Sequence, residues 1–383
     1  MDILVKEEHL ARAFELHRMN PVVDAHLDLA GEVLLRRQAG EKEVVKRHYL
    51  PHFKEAGLNL VFSSVYVENR NIYRAWENAL EQIDALKKDI EGLPVILVKS
   101  IRDLDRVLGE NKIGILLYME GLDCIGEDID RLEELYGLGV RGASLTWSRE
   151  NALGHGCCKA SEYRQIPGRL TKTGERVVKR LEELAMFLDV SHLNDEGFDH
   201  VCRLAEHSFI ATHSGSRKVY DNYRNLTDTQ MLALAKGGGI MGMNGYKYIA
   251  GSLEGNHIEM LCRHIEYEVE KIGPEHVGFG FDLCDSYDRA KACLEIYCPS
   301  LGTTPDLPFA SNLVHASDDG DSEDFMAFEK EEASVQRDDC LLHHGQIPLV
   351  TAALLQRGMD EDSVKKIIGG NFIRYLANVI SRT

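Results

Sequence analysis

His26 and Asp28 stand two residues apart in the apolar segment DAHLDL. In an extended chain, residues i and i+2 share a face, so both could ligate one ion. In a chain with 16 histidines, one His-x-Asp pair is expected about once by chance, and alone it reads as structural. The pattern recurs, however. Glu120 follows IGILLYM, His192 follows FLDVS, His213 follows FIAT and Asp282 follows VGFGF. Taken singly, each histidine would be read as a buried, hydrogen-bonded side chain; repetition at the ends of apolar runs favours metal binding for the set. Three histidines and three carboxylates suit a borderline cation such as zinc, and exceed the needs of one four-coordinate ion with an open position. Two Zn2+ ions are therefore expected, other divalent metals being alternatives.

Those side chains meet only if the runs that carry them end on one side of a common sheet. Short apolar or β-branched runs at 22–27, 59–66, 113–119, 142–147, 187–190, 209–212, 239–243 and 277–281 alternate with helical patterns at 73–89, 173–187, 227–236 and 257–272. Eight such units predict an α/β fold, a (β/α)8 TIM-like barrel whose C-terminal strand ends converge on one site. The run at 94–98 reads as a short ninth strand or as part of a crossover. From 284 to 344 the rhythm breaks, with Pro299, Pro305, Pro308 and the acidic DDGDSED cluster. This stretch is expected to be an insertion after the last strand, either a solvated loop or partner surface or a lid over the site. Helical patterns then close a single domain spanning 1–383.

The length of 383 residues suits one barrel with inserted loops, and 44% hydrophobic residues can fill a large core. With 44 basic against 62 acidic residues, the net charge of −18 repels phosphate backbones and anionic membranes, so nucleic acid and membrane partners are not expected. The opening segment is amphipathic and charged where a secretory leader needs an apolar core. No run approaches the roughly 20 apolar residues of a membrane span. Nine cysteines without a CxxC pair, an odd number, argue against a complete disulfide framework, and the adjacent Cys157 and Cys158 read as free thiols. A cytoplasmic location is the expectation.

DAHLDL, MEG, LTW, DVSH, THS, YRNLTD and GGNFIR occur in an order that resembles the membrane dipeptidase family, peptidase family M19, in a soluble, bacterial-like form. The resemblance covers nearly the whole chain. It implies that His26 and Asp28 bind one zinc, that His192 and His213 bind the other, and that Glu120 bridges both. It further implies hydrolysis of dipeptides, L-D dipeptides included, by a hydroxide shared between the ions, zinc lowering the pKa of bound water to about 7. Asp282 matches the aspartate that holds this water and passes a proton to the departing amine; without the resemblance it would be read as a turn or cap residue. Arg224, in YRNLTD, matches the residue proposed to grip the substrate carboxylate through its guanidinium fork; otherwise it would be read as a surface ion-pair partner. Family members often pair as homodimers.

Tyr246 and Tyr248, in GMNGYKYIAG, are candidates to line the pocket or to pack at its rim. In LTWSREN the chain departs from animal members, which carry a substrate-contacting histidine at the position of Trp147. Trp147 is read as shaping the pocket instead, and His155 does not align with the missing residue. Another barrel amidohydrolase, acting on N-acyl amino acids or cyclic amides, is the alternative enzyme. Many of those use His-x-His on the first strand and a modified lysine on the fourth, so Glu120 discriminates. A non-catalytic barrel that binds metal or ligand is the alternative of another class.

Overall fold

The computed structural model describes residues 5–110, 112–157, 168–253, 257–288, 290–291 and 339–381. Most of the 284–344 stretch, and with it the lid reading, lies outside the described residues, as does Cys158.

Among the described residues, nine strands run parallel to their neighbours: β1 Val23–Leu27, β2 Leu60–Tyr66, β3 Val95–Leu97, β4 Ile113–Glu120, β5 Val140–Ser144, β6 Phe187–Asp189, β7 Ala211–Ser214, β8 Met241–Met243 and β9 Val277–Phe279. They form a six-stranded sheet ordered β1-β2-β4-β5-β6, with β3 off that path, and a three-stranded sheet β7-β8-β9. A parallel bridge between Asp189 and Ile210 links the two. The 94–98 run is thus a short strand: β3 pairs with Ile113–Ile115, and β5 pairs with β4 from Leu117 onward.

The alternation along the strands separates two apolar layers. Leu60 and Phe62, Leu116 and Tyr118, and Phe187 share one core cluster with Phe372, Tyr375 and Leu376 of the helix Asn371–Ile380. Val61, Val65, Ile115, Leu117 and Met119 face the other way, into the larger cluster of the surrounding helices. Continuing the first face by two residues brings the chain to Ser64 and Glu120, so the strand ends carry polar groups above an apolar floor.

Boundaries shift where local contacts replace the ladder. The fifth strand occupies Val140–Ser144 rather than 142–147, because Leu145 O accepts from Leu122 N and Thr146 O from Ser144 Oγ. The helix expected at 173–187 ends at Glu183, and Ala185 takes a positive φ of 50° before β6 begins. The sixth expected run continues through His213, which lies within β7. Thr227 caps the helix Asp228–Lys236 through a capping box with Gln230.

The two described ends of the 284–344 stretch are pinned together. Asp339 accepts from the backbone N of Cys284 at 3.1 Å and of Asp285 at 2.8 Å, and Cys340 N donates to Gly245 O.

Candidate metal centre

All six expected ligand or acid residues converge. His26 Nε2 lies 3.8 Å from Asp28 Oδ1, 3.8 Å from Glu120 Oε2 and 3.2 Å from Asp282 Oδ1. Across the cluster, Glu120 Oε1 lies 2.8 Å from His192 Nε2 and 3.4 Å from His213 Nε2. The two oxygens of Glu120 therefore face opposite halves of the site. Donor atoms of His26, Asp28 and Asp282, and of His26, Glu120 and His213, gather within 4.8 Å. Asp28 has left the strand, with φ −74° and ψ 38°, and its carboxylate accepts from Ser64 Oγ.

Local backbone geometry serves these positions. Gly121, with φ 80°, turns the chain immediately after Glu120, and a Cβ there would lie 2.9 Å from Trp147 N. Asp282 itself has φ 53°, a left-handed conformation that aspartate tolerates better than most residues.

Hydrogen bonds set which imidazole nitrogens are available. Asp189, fully buried, accepts from Ser191 N, Ser191 Oγ and Thr212 N, and from Thr212 Oγ1 at 2.7 Å. Having spent its proton there, Thr212 Oγ1 can only accept from His213 Nδ1, 2.8 Å away, and from the Tyr118 hydroxyl at 3.3 Å. Tyr118 in turn is hydrogen-bonded to His26 Nδ1, and Ser148 Oγ sits 2.9 Å from His192 Nδ1. These contacts place a proton on Nδ1 of His26 and His213, and Arg224 Nη2 against His192 Nε2 places it on Nδ1 of His192, so that Nε2 of each ring faces inward, as in a ligating histidine. Burial, reinforced at His192 by Arg224, pushes the pKa of His192 and His213 well below the usual range and keeps both neutral.

The carboxylates respond to the same enclosure. Burial disfavours the charged form of His26, but Glu120, Asp282 and Asp28 outweigh it and lift its pKa to about 10. Burial, with repulsion from Asp28 and Asp282, pushes Glu120 up. At Asp282 burial acts upward too, but His26, His213 and the Cys284 thiol outweigh it and hold the group below the usual carboxylate range. Asn244 Nδ2 donates to Asp282 Oδ2 at 2.9 Å and Cys284 Sγ to Oδ1 at 3.1 Å.

Arg224 is buried beside the cluster. It donates to Ser191 O and, at 3.3 Å, to His213 O, and its Nη2 lies 3.1 Å from His192 Nε2. Its surface ion-pair alternative falls away. The Trp147 ring stacks on His192 with centroids 5.8 Å apart and lies 5.1 Å from that of Tyr66. Tyr246 precedes and Tyr248 lies within the short helix Lys247–Ala250; Tyr246 N donates to Asn244 Oδ1, and Tyr248 is exposed, its ring 6.4 Å from that of Tyr223. Sequence reasoning overlooked Tyr118, Ser64, Thr212, Asp189 and Cys284. Tyr118 was findable, two residues before Glu120 on the same strand face; Asp189 was not, because Thr212, through which it reaches His213 and Tyr118, comes from the next strand.

Parallel strands whose ends gather buried imidazoles and carboxylates define an α/β protein with a candidate metal centre. The model of the membrane dipeptidase family (peptidase family M19) matches residues 10–296, and the chain belongs to that family. Dipeptidase 3 of Mus musculus is 28% identical over 292 residues, 72% of this chain and 57% of its own length. Dipeptidase verJ of Clonostachys rogersoniana is 24% identical over 309 residues, 80% of this chain and 66% of its own. The chain thus spans about three fifths to two thirds of these curated relatives. Among solved structures, the M19 metallopeptidase dipeptidase AC has a TM-score of 0.71 at 24% identity, covering 93% of this chain and 98% of its own. A metallopeptidase from Rhodobacter sphaeroides liganded with a phosphinate mimic of L-Ala-D-Ala has a TM-score of 0.71 at 23% identity, with the same coverage. These likenesses show a common fold. Among the described residues, no helix is long and apolar enough to cross a membrane, and all six described cysteines are free.

Proposed function

We propose that this chain is a metal-dependent dipeptidase that hydrolyses the peptide bond of free dipeptides, L-D dipeptides among them. The observation that carries this reading is His26 Nε2, a buried atom that makes no hydrogen bond and is aimed at three carboxylates while Nδ1 is held by Tyr118. A buried ring nitrogen so placed fits a cation, which would take the place of the proton that the three carboxylates otherwise favour there. Family membership and the dipeptidase names of the relatives support the same activity.

The donor set fits two zinc ions. His26, Asp28 and Glu120 would hold one, and His192, His213 and Glu120 the other, with Glu120 shared through its two oppositely directed oxygens. Bound, such ions supply Lewis acidity and a nucleophilic water at neutral pH. Asp282, kept ionised, takes the proton of the attacking water at Oδ1 and returns it to the departing amine. Arg224 holds the free substrate carboxylate, which must compete with the carbonyls of Ser191 and His213 for its N–H groups. Trp147 forms one wall of the pocket, and Tyr246 and Tyr248 its outer rim. We further propose that the strands close into one eight-stranded barrel between β9 and β1, where Phe281 N donates to Asp24 Oδ1 at 2.8 Å. A single domain, a cytoplasmic location consistent with free thiols, and a homodimer complete the reading.

The test is zinc-reconstituted protein assayed against L-L and L-D dipeptides, with blocked dipeptides and N-acyl amino acids as controls. Free dipeptides should be cleaved, and Glu120→Gln should lower kcat/KM by at least about a hundredfold. Cleavage of blocked or acylated substrates alone would sink the dipeptidase reading.

A further inference from the structure

A second group of metal-ligating side chains lies away from the centre. His52 and Glu55 sit three residues apart on the helix Leu50–Ala56 and so share a face. His343 comes from the far end of the chain, where it precedes the helical turn His344–Gln346. One donor atom from each of the three lies within 4.8 Å of the others. His52 Nδ1 is 3.5 Å from Glu55 Oε2, and the rings of His52 and His343 stack with centroids 3.8 Å apart. A tetrahedral ion with bonds of about 2.1 Å sets its ligand atoms about 3.4 Å apart. Gly345 makes the approach feasible: a Cβ there would lie 2.2 Å from Glu55 Oε2 and 2.9 Å from His343 Nδ1.

We propose that His52, Glu55 and His343 form an additional site for one divalent ion of the zinc class, which ties the chain at His343 to the helix Leu50–Ala56. Two imidazoles and one carboxylate are a borderline-cation donor set with a position left for water. Closing on the ion needs the half-exposed His52 ring to tilt out of the stack. The next residue, His344, points inward and meets Asp24 Oδ2 at 3.0 Å, and Asp24 Oδ1 holds Phe281 N beside Asp282. The ion would therefore fix the segment that anchors this link, at a point just after residues 339–342. It is a structural clamp, and substrate does not touch it.

The experiment counts zinc bound to the full chain by titration calorimetry and elemental analysis. Cobalt(II) absorption reports the coordination of the outlying ion. Wild-type protein should bind one equivalent more than His343→Ala or Glu55→Gln. Gly345→Ala, which removes no ligand but displaces Glu55, should weaken that equivalent about tenfold or more. Glu120→Gln should retain it, which separates this site from the main centre whether or not dipeptides are cleaved. Equal zinc stoichiometry and affinity in wild-type, His343→Ala and Glu55→Gln proteins, all folded by circular dichroism, would overturn the proposal.

Discussion

At the scale of residues, the centre depends as much on what holds each imidazole as on the ligands themselves. Tyr118 and Thr212 relay the polarity of Asp189 to His26 and His213 and so decide which nitrogen carries the proton. Tyr118→Phe removes one hydroxyl from this relay and leaves the ring packed between Phe62 and Phe187. Its expected effect is a loss of zinc affinity of about 10–100-fold with the fold intact. Competition against a calibrated chelator measures it, and an unchanged affinity would show that the relay does not orient His26.

Elements are joined by a different histidine. His17, on the helix Glu7–Met19, bonds Ala56 O through Nδ1 at 2.7 Å and Thr351 Oγ1 through Nε2 at 2.8 Å, the latter on the helix Ile347–Gln356. Burial pushes its pKa down to about 4, against the opposing pull of the Ala56 carbonyl. In the unfolded chain the group titrates near 6.5. As pH falls from about 6.5 toward 4, the unfolded state takes up a proton that the folded state refuses, so stability drops, by up to about 1.4 kcal/mol per pH unit. Below about 4 this contribution is exhausted. Urea melts between pH 7 and 4 should show the decline, and His17→Gln should flatten part of it. An identical slope in the variant would assign the decline to other groups.

Over the whole molecule, residues distant in sequence brace the two flanks of the centre against each other. Arg36, 1% exposed, donates to Glu32 at 2.7 Å, Glu41 at 3.3 Å and Ser286 at 3.4 Å. It links the helix Leu29–Gln38, which starts beside Asp28, to the segment after Asp282. Arg36→Ala would leave Glu32 buried without its cation and Glu41 with His48 alone, which costs about 3–5 kcal/mol. Denaturant melts would register it, and a loss under 1 kcal/mol, about the worth of a surface pair, would mean that water reaches the site.

The amino-acid sequence by itself determined the alternation of strand and helix and the residues at the strand ends, since both are local patterns: period two, period 3.6, and a polar residue ending an apolar run. It thereby placed His26, Asp28, Glu120, His192, His213 and Asp282 on candidate strand ends, and its motif order pointed to the family. Only the tertiary structure decided what surrounds them. Asp189 meets Thr212 across neighbouring strands, Cys284 turns its thiol back onto Asp282, and Arg224 comes to rest on His192 instead of at the surface. Strand limits shifted for the same reason, as at Ser144, where side-chain and loop carbonyl bonds replace the ladder. Such contacts join positions far apart in the chain, and no local period records them; they exist only once the strands have been brought side by side.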